Sequence, residues 1–180
     1  MTAQERETLL YNGETHWLST EPLKSLLDII GDEKPTSSVM VFASTACKRG
    51  YIGEWEIVED KLFLIGLKGC PKENEQFTMD FLFPNQKKVF AGWFTGEIEI
   101  PQGKMLHYEH LGYASIFEKD LFLKFKKGVL AGSREVDNTK TFDPDDPTGI
   151  KKLLLAMAEE YTKYLKKDKP PESSREASNK

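Results

Sequence analysis

The sequence predicts a β-rich α+β protein: an antiparallel sheet, curled or closed into a barrel, with a short helix near the N-terminus and a long helix at the C-terminus. Three observations support this fold class. Apolar and polar residues alternate with a period of two through most of residues 39–134. Near both ends of the chain, apolar residues instead recur at helical spacing. Gly92 and Gly96 interrupt one predicted strand, which is typical of a sheet that bends.

The N-terminal residues predict a hairpin followed by the short helix. Residues 8–11 and 15–18 flank Asn12-Gly13, a dipeptide that suits the positive φ angles of a type I′ turn. Ser19 or Thr20 can then cap a helix that ends at Gly31. The apolar stripe of this helix consists of Leu23, Leu26, Leu27 and Ile30.

The middle of the chain predicts strands, and its last part predicts the long helix. The strand candidates are residues 39–43, 51–57, 62–65, 77–83, 89–100, 121–126 and 129–131, with a turn at 101–103. Gly50-Tyr51 and Gly112-Tyr113 begin hairpins of similar design, either by duplication or by coincidence. The acidic, proline-containing run 143–147 suits the start of a helix.

Length and composition indicate one well-filled domain. The chain has 180 residues, of which 39% are hydrophobic, and this is enough to bury a core. We expect residues 1–165 to form a single domain and residues 166–180, which carry no core residue, to be a disordered tail. Two cysteines are too few for a disulfide framework, although one bridge between Cys47 and Cys70 stays open.

Charge and hydropathy narrow the expected partners. The net charge of −4 argues against duplex DNA, which is usually bound by basic proteins. The sequence shows no signal-peptide pattern, and its apolar runs are of strand length. We therefore expect a soluble cytoplasmic protein that does not associate with a membrane; the sequence predicts no oligomeric state.

The most specific local feature is the segment STACKRGYIGEWEI, residues 44–57. On a strand, Arg49, Tyr51, Gly53 and Trp55 share one face, and Gly53 leaves a slot between two aromatic rings with a guanidinium at its end. Such a slot could receive a planar or anionic group, or a side chain of a partner. The alternative is that the aromatic residues are core and Gly53 marks a bulge.

Tyr113, at the start of the second hairpin, could add another aromatic wall, with His110 close by. The predicted ligand-binding residues are therefore Arg49, Tyr51, Trp55, Trp93, His110 and Tyr113.

Two other segments carry groups with catalytic potential. Lys48 and Arg49 could activate Cys47 as a nucleophile, but no phosphatase-type spacing is present and a structural thiol is favoured. The segment from His107 to His110 could serve a hydrolase or hold a metal, but on a strand its two histidines would point to opposite faces. We predict neither a bound metal nor a cofactor.

A third segment combines lysines and aromatic rings. Lys124, Lys126 and Lys127 lie close to Phe122 and Phe125, a combination that can hold single-stranded nucleic acid. A solvated strand with protective lysines explains the pattern equally well, particularly since Phe125 is predicted to face inward. Binding of nucleic acid is therefore not the favoured function.

Three segments resemble a family of uncharacterised bacterial proteins: residues 49–57 (RGYIGEWEI), residues 93–96 (WFTG) and residues 110–113 (HLGY). The resemblance spans approximately residues 44–138 and implies a bacterial or phage origin. It implies no activity and no catalytic residue.

Together, these observations favour a non-enzymatic binding or accessory protein that recognises a protein or a small ligand through aromatic and Arg groups. The alternatives are a hydrolase that uses the segment from His107 to His110, and a protein that binds single-stranded nucleic acid. An exposed aromatic patch would favour binding, whereas His, Glu and Cys side chains converging in a cleft would favour an enzyme.

Overall fold

The fold is built on a large, mostly antiparallel β-sheet. The computed structural model describes residues 2–30, 44–70, 77–147, 149, 155 and 158. Within these residues the sheet has eight strands: β1 (Thr8–Tyr11), β2 (Glu14–Trp17), β3 (Tyr51–Val58), β4 (Lys61–Gly69), β5 (Val89–Phe90), β6 (Gly96–His107), β7 (Ile116–Lys126) and β8 (Val129–Asp137). Two α-helices, α1 (Lys24–Ile30) and α2 (Met79–Leu82), and a 3₁₀ helix (Asn138–Lys140) accompany it.

The strands follow the order β2-β1-β3-β4-β8-β7-β6, and β5 pairs with β4. Only the β1–β3 pairing is parallel among the described strands. The sheet is not closed, but the chain after β2 reaches β6, since the amide of Ser19 donates to the carbonyl of Glu99 at 2.9 Å. The prediction of a β-rich, mostly antiparallel sheet is confirmed, whereas the barrel alternative is wrong for the described strands.

Three hairpins turn through two residues with positive φ, as a type I′ turn requires. These residues are Asn12-Gly13, Glu59-Asp60 and Lys127-Gly128. The first turn joins β1 to β2, so the predicted N-terminal hairpin is confirmed. The third turn contacts two other segments, because Gly128 donates to the carbonyl of Phe94 and accepts from the amide of Leu62, both at 2.8 Å.

The core is formed by inward-facing residues of β1, β3, β4, β6 and β7 together with residues of helix α1. Its fully buried large side chains are Trp55, Tyr51, Phe77, Phe125, Leu9, Leu18, Leu23, Leu62, Leu64, Ile98, Ile100 and Leu123. Leu27 is buried and Leu26 and Ile30 pack against the same core, which confirms the predicted apolar stripe of the helix. Burial of such residues is the main favourable contribution to folding.

Two of the predicted strands are wrong. Residues 77–83 contain helix α2 instead of a strand. Phe77 lies before this helix and its ring contacts that of Phe81, with centroids 5.6 Å apart. Residues 89–100 form two strands separated by a turn, and this leaves Phe90 41% exposed. The turn predicted at residues 101–103 is also wrong, since Gly103 lies at a register irregularity inside β6.

The chain divides into two compact units, Met1–Thr141 and Phe142–Lys180. In the second unit the acidic run predicted to start a helix forms a turn, with the amide of Asp145 donating to the side chain of Asp143 at 2.9 Å. The predicted strand at residues 39–43, the helix end at Gly31 and most of the C-terminal helix and tail lie outside the described residues. No helix among the described residues is long and apolar enough to cross a membrane.

Candidate functional site

Four of the predicted ligand-binding residues meet in one place: Arg49, Tyr51, Trp55 and Tyr113. Two carboxylates that the sequence analysis did not select, Glu7 and Glu21, join them. We call these six residues the Arg49 cluster. Glu7 precedes β1, Glu21 precedes α1 and Tyr113 lies in the loop before β7. The other three members lie just before β3 or within it.

The slot beside Gly53 is filled by the side chain of Glu7. Tyr51, Gly53 and Trp55 point inward along β3, as predicted. Strand β1 lies parallel to β3, with Leu9 opposite Trp55, so Glu7 arrives next to Gly53. A Cβ atom at Gly53 would lie only 2.6 Å from Glu7 Oε2 and 2.8 Å from Trp55 Nε1. Gly53 therefore provides the space that the carboxyl group occupies.

Glu7 has no exposed surface, and its carboxyl group contacts an indole N–H on one side and a guanidinium on the other. The indole Nε1–H of Trp55 donates to Glu7 Oε2 at 2.6 Å, and Arg49 Nε lies 3.1 Å from Glu7 Oε1. The second distance is that of an ion pair, but the two atoms are not aligned for a hydrogen bond. Burial raises the pKa of Glu7 to about 7, although Arg49 and the indole favour the charged form.

Arg49 is buried, with 5% of its side chain exposed, and its charge is retained by its neighbours. Arg49 Nη1 donates to the hydroxyl of Tyr113 at 2.8 Å and lies 3.7 Å from Glu21 Oε1. The guanidinium also lies over the ring of Tyr51, 5.6 Å from its centroid. Burial opposes the charge, but Glu7 and the other neighbours outweigh it, so the pKa of Arg49 is raised.

Tyr113 links the guanidinium to the second carboxylate. Its hydroxyl accepts from Arg49 and donates to Glu21 Oε1 at 3.0 Å. The guanidinium of Arg6 lies 5.4 Å from the centroid of the Tyr113 ring. The tyrosine is thus held between two cations, one over its ring and one at its hydroxyl. Burial raises its pKa, so the hydroxyl is neutral and able to donate at neutral pH.

Four buried polar atoms of the cluster have no hydrogen-bond partner among the described residues: Glu7 Oε1, Arg49 Nε, Arg49 Nη2 and the hydroxyl of Tyr51. The first two face each other as an ion pair at 3.1 Å, so that only Arg49 Nη2 and the Tyr51 hydroxyl have neither kind of partner. The whole Tyr51 side chain is buried at 1% exposure, and burial raises the pKa of its hydroxyl. A buried donor without a partner costs about 1–3 kcal/mol. The described contacts therefore do not explain why Arg49 Nη2 and the Tyr51 hydroxyl are buried.

The N-terminal segment, residues 2–7, holds together the two loops that carry Arg49 and Tyr113. The amide of Gln4 donates to the carbonyl of Gly112 at 3.0 Å, and the amide of Glu5 donates to the carbonyl of Ala46 at 2.7 Å. The side-chain Oε1 of Gln4 accepts from the amide of Lys48 at 2.8 Å. Backbone and side-chain hydrogen bonds thus fix both loops against one segment and define the position of the cluster.

Cys47 lies beside the cluster with its thiol fully buried. The thiol donates to the carbonyl of Tyr51 at 3.4 Å, and burial raises its pKa to about 12. A thiol with so high a pKa is a poor nucleophile at neutral pH. Its position agrees with the interpretation of Cys47 as a structural thiol.

Trp93 and His110 make their contacts with other residues. The indole of Trp93 donates to the carbonyl of Pro22 at 3.3 Å, and its ring stacks on Phe83 with centroids 5.8 Å apart. His110 is exposed, and its Nδ1 lies 2.8 Å from the hydroxyl of Tyr108. The prediction that these two residues bind a ligand stays a prediction.

His107, the other histidine of the predicted hydrolase segment, lies 3.7 Å from Glu109. Within the part of the chain that the structure describes, no group of three His, Cys, Asp or Glu residues is placed to hold a metal ion. The lysines of the third segment, Lys124, Lys126 and Lys127, are exposed, while Phe125 is buried at 1% exposure as its position in the strand predicted. The partners described for His107 and His110, which are Glu109 and Tyr108, are not members of the Arg49 cluster.

Glu7 was detectable in the sequence, whereas Glu21 was not. Glu7 and Leu9 are two residues apart, so a strand that turns Leu9 inward also turns Glu7 inward. A carboxylate at an inward position needs a charged or hydrogen-bonding partner. Glu21 lies between the hairpin and helix α1, where no periodicity fixes the direction of a side chain.

Comparison with known proteins gives this cluster no counterpart, since no family model, no curated protein and no solved structure matches the chain.

Proposed function

We propose that the protein is a non-enzymatic binding or accessory protein and that the Arg49 cluster holds its ligand. The ligand would accept a hydrogen bond from Arg49 Nη2 and form another with the hydroxyl of Tyr51. The observation that carries this proposal is that these two buried atoms have neither a hydrogen-bond nor an ion-pair partner among the described residues. The neighbouring polar atoms are hydrogen-bonded, or, for Glu7 Oε1 and Arg49 Nε, ion-paired with each other. A ligand that supplied both partners would recover the cost of burying them.

The unpaired hydroxyl is informative because a phenylalanine would fill the same space without it. A chain selected for stability alone gains from losing a buried polar atom that has no partner. Unfavourable groups of this kind concentrate at functional sites, where a protein gives up stability for activity. Tyr51 therefore fits a binding role better than a role in packing alone.

The charges of the cluster favour a ligand without net negative charge. Arg49 is the single cation among the six residues, and it already faces the carboxylates of Glu7 and Glu21. A further anion would be repelled by the carboxylate of Glu21, and also by Glu7 once that group is ionised above about pH 7, at short range in a partly desolvated site. A carbonyl, an amide or a hydroxyl group satisfies the guanidinium without this repulsion, so we favour such a ligand over the anionic group considered from the sequence.

The ligand would approach from the side of Glu21 and Tyr113. Glu21 has 23% of its side chain exposed and Tyr113 is half-buried, whereas the other members of the cluster have between 0% and 5% exposed. Polar groups at the rim of a buried site commonly orient a ligand. Glu21 and Tyr113 would thus contact the part of the ligand that stays nearest to solvent.

The test combines a binding measurement with a stability measurement on Tyr51→Phe. Native mass spectrometry of the full chain, purified without denaturation, should show a bound small molecule that is lost or strongly reduced in Tyr51→Phe. In ligand-free protein the same variant should be more stable by about 1 kcal/mol, since an unpaired buried hydroxyl is removed. Tyr11→Phe, a partly buried tyrosine of β1 outside the cluster, is the matched control.

Two results would contradict the proposal. If Tyr51→Phe lowers the free energy of unfolding in ligand-free protein, the hydroxyl has a structural partner and is not reserved for a ligand. If it raises stability and the wild-type protein carries no bound mass, the cluster has a structural role only.

A further inference from the structure

The two cysteines of the chain lie together at the open end of the β3–β4 hairpin. Cys47 precedes β3 and Cys70 follows β4, where Tyr51 pairs with Gly69. The amide of Gly50 donates to the carbonyl of Cys47 at 3.1 Å, and the amide of Cys70 donates to the carbonyl of Gly50 at 2.9 Å. Because both cysteines are hydrogen-bonded to the backbone of Gly50, their side chains start from neighbouring positions at this end of the hairpin.

We propose that Cys47 and Cys70 form a reversible disulfide by exchange with a low-molecular-weight disulfide such as oxidised glutathione. Both cysteines carry thiols in the structure, and their backbones are already joined through Gly50. The hairpin thus already holds the two backbones close to each other, which is the first requirement for an intramolecular disulfide. This inference rests on the position of the thiols and does not depend on the ligand proposed for the Arg49 cluster.

The reaction begins at Cys70, because Cys47 is fully buried and Cys70 is partly exposed. The Cys70 thiol loses its proton and its sulfur attacks one sulfur of oxidised glutathione, which breaks the disulfide and releases one glutathione thiolate. In the second step Cys47 loses its proton and attacks the Cys70 sulfur, releasing the second glutathione thiolate. This step is the slow one, because the raised pKa of Cys47 leaves little of its thiol as thiolate at neutral pH. The two thiolates take up the two protons. The two protein thiols thus lose two electrons and form one disulfide, and one glutathione disulfide gains these electrons and becomes two thiols.

The disulfide would act on the loop that carries Arg49. In the thiol form, this loop is held by the hydrogen bond from Cys47 to the carbonyl of Tyr51 and by contacts of Cys47 with Ser44, whose hydroxyl accepts from the Cys47 amide at 3.0 Å. A covalent bond would fix the same loop to the end of β4. Since Arg49 is two residues from Cys47, oxidation would restrict the guanidinium and its contacts.

The experiment uses the full chain in buffers containing reduced and oxidised glutathione, followed by acid quenching, alkylation of remaining thiols and peptide mapping. Oxidised protein should lose about 2 Da and yield a cross-linked peptide containing both cysteines. Its melting temperature should rise by roughly 5–10 °C, and a reductant should reverse the change. In Cys47→Ala the exchange should stop at a glutathione adduct of roughly 305 Da on Cys70.

Three outcomes would overturn the inference. The first is a wild-type protein that accumulates only the glutathione adduct on Cys70. The second is a disulfide that links two chains instead of closing within one chain. The third is a cross-link that forms only under denaturing conditions, since this would show that the native fold keeps the two sulfur atoms apart.

Discussion

Glu7 is a carboxyl group without exposed surface, placed between an indole N–H and a guanidinium. Its raised pKa means that the folded protein binds a proton more tightly at this position than the unfolded chain does. Arg49, Trp55 and the space beside Gly53 all depend on this one side chain. The properties of the cluster at neutral pH therefore depend on the protonation of Glu7.

The first prediction concerns the pH dependence of stability. Because the pKa of Glu7 rises from 4.5 to about 7 on folding, its proton stabilises the native state fully below about pH 4.5, and this contribution is lost as the pH rises towards 7. The total loss is about 3 kcal/mol. Urea denaturation of the wild type and of Glu7→Gln between pH 4 and 8 should show this fall in the wild type only.

Glu14→Gln is the control for that experiment, since Glu14 is an exposed residue of β2. The Glu14→Gln variant should keep the pH dependence of the wild type. If the stability of Glu7→Gln falls with pH as steeply as that of the wild type, another group causes the pH dependence. The carboxylate of Glu7 would then be ionised and paired with Arg49 in the native state over the whole pH range.

The residues of the site were predicted from the sequence only in part. Arg49, Tyr51 and Trp55 were found because they share one face of a strand, and Tyr113 because it begins a similar hairpin. The sequence could not show that Glu7 fills the slot, since the parallel pairing of β1 with β3 is a contact between distant segments. Periodicity gives the direction of a side chain along a strand, but it does not identify the neighbouring strand.

Strands β1 and β3 approach each other closely where Gly53 faces Glu7. A side chain at residue 53 would displace the Glu7 carboxyl from the indole of Trp55, because a Cβ atom there lies within 3 Å of both groups. This close approach is an effect of the pairing of two strands, since neither strand alone places an atom in the space. The two strands are therefore matched to each other at this position.

The second prediction follows from this approach: Gly53→Ala should lower the free energy of unfolding by about 1–3 kcal/mol through overpacking. Gly132→Ala, in β8, is the matched control because a Cβ atom at residue 132 has no neighbour within 4 Å. It should be neutral or slightly stabilising. The comparison is made by urea denaturation at one pH, and equal effects of both substitutions would show that the space beside Gly53 is not filled.

The elements that were predicted correctly depend on local signals, and those that were wrong depend on packing. The hairpin at Asn12-Gly13 and the strand β7 follow from turn chemistry and from period-two patterning. Residues 77–83 show the same alternation, but Met79–Leu82 within them form helix α2. A short apolar run of this kind does not distinguish the two structures without its tertiary contacts.

Within the first compact unit, Met1–Thr141, a short segment of the chain links the two edge strands of the open sheet, β2 and β6. The chain after β2 hydrogen-bonds to β6 through Ser19 and Thr20, and the Thr20 hydroxyl accepts from the amide of Glu99 at 2.9 Å. This connection joins the first and last strands of the sheet order. It gives the amide of Glu99, in the edge strand β6, a hydrogen-bond partner that the other described residues do not supply.

The third prediction tests this connection. Thr20→Val keeps the shape of the side chain and removes the acceptor for the Glu99 amide, so it should lower the free energy of unfolding by about 1 kcal/mol. Thr15→Val, at an exposed position of β2, should change stability by less than half of that amount. Urea denaturation measures both variants, and a loss in Thr15→Val as large as that in Thr20→Val would show that the hydroxyl of Thr20 does not hold the sheet.

The N-terminal segment, residues 2–7, has a consequence for synthesis on the ribosome. It is made before the other segments of the cluster, and Tyr113, whose hydroxyl oxygen lies 3.4 Å from the carbonyl oxygen of Glu5, follows 108 residues after Glu5. At roughly 5–20 residues per second, Glu7 waits several seconds before Arg49 and Trp55 have been made, and about as long again for Tyr113. The nascent chain therefore exposes an ionised Glu7 during translation, and the cluster can close only after Tyr113 has been made.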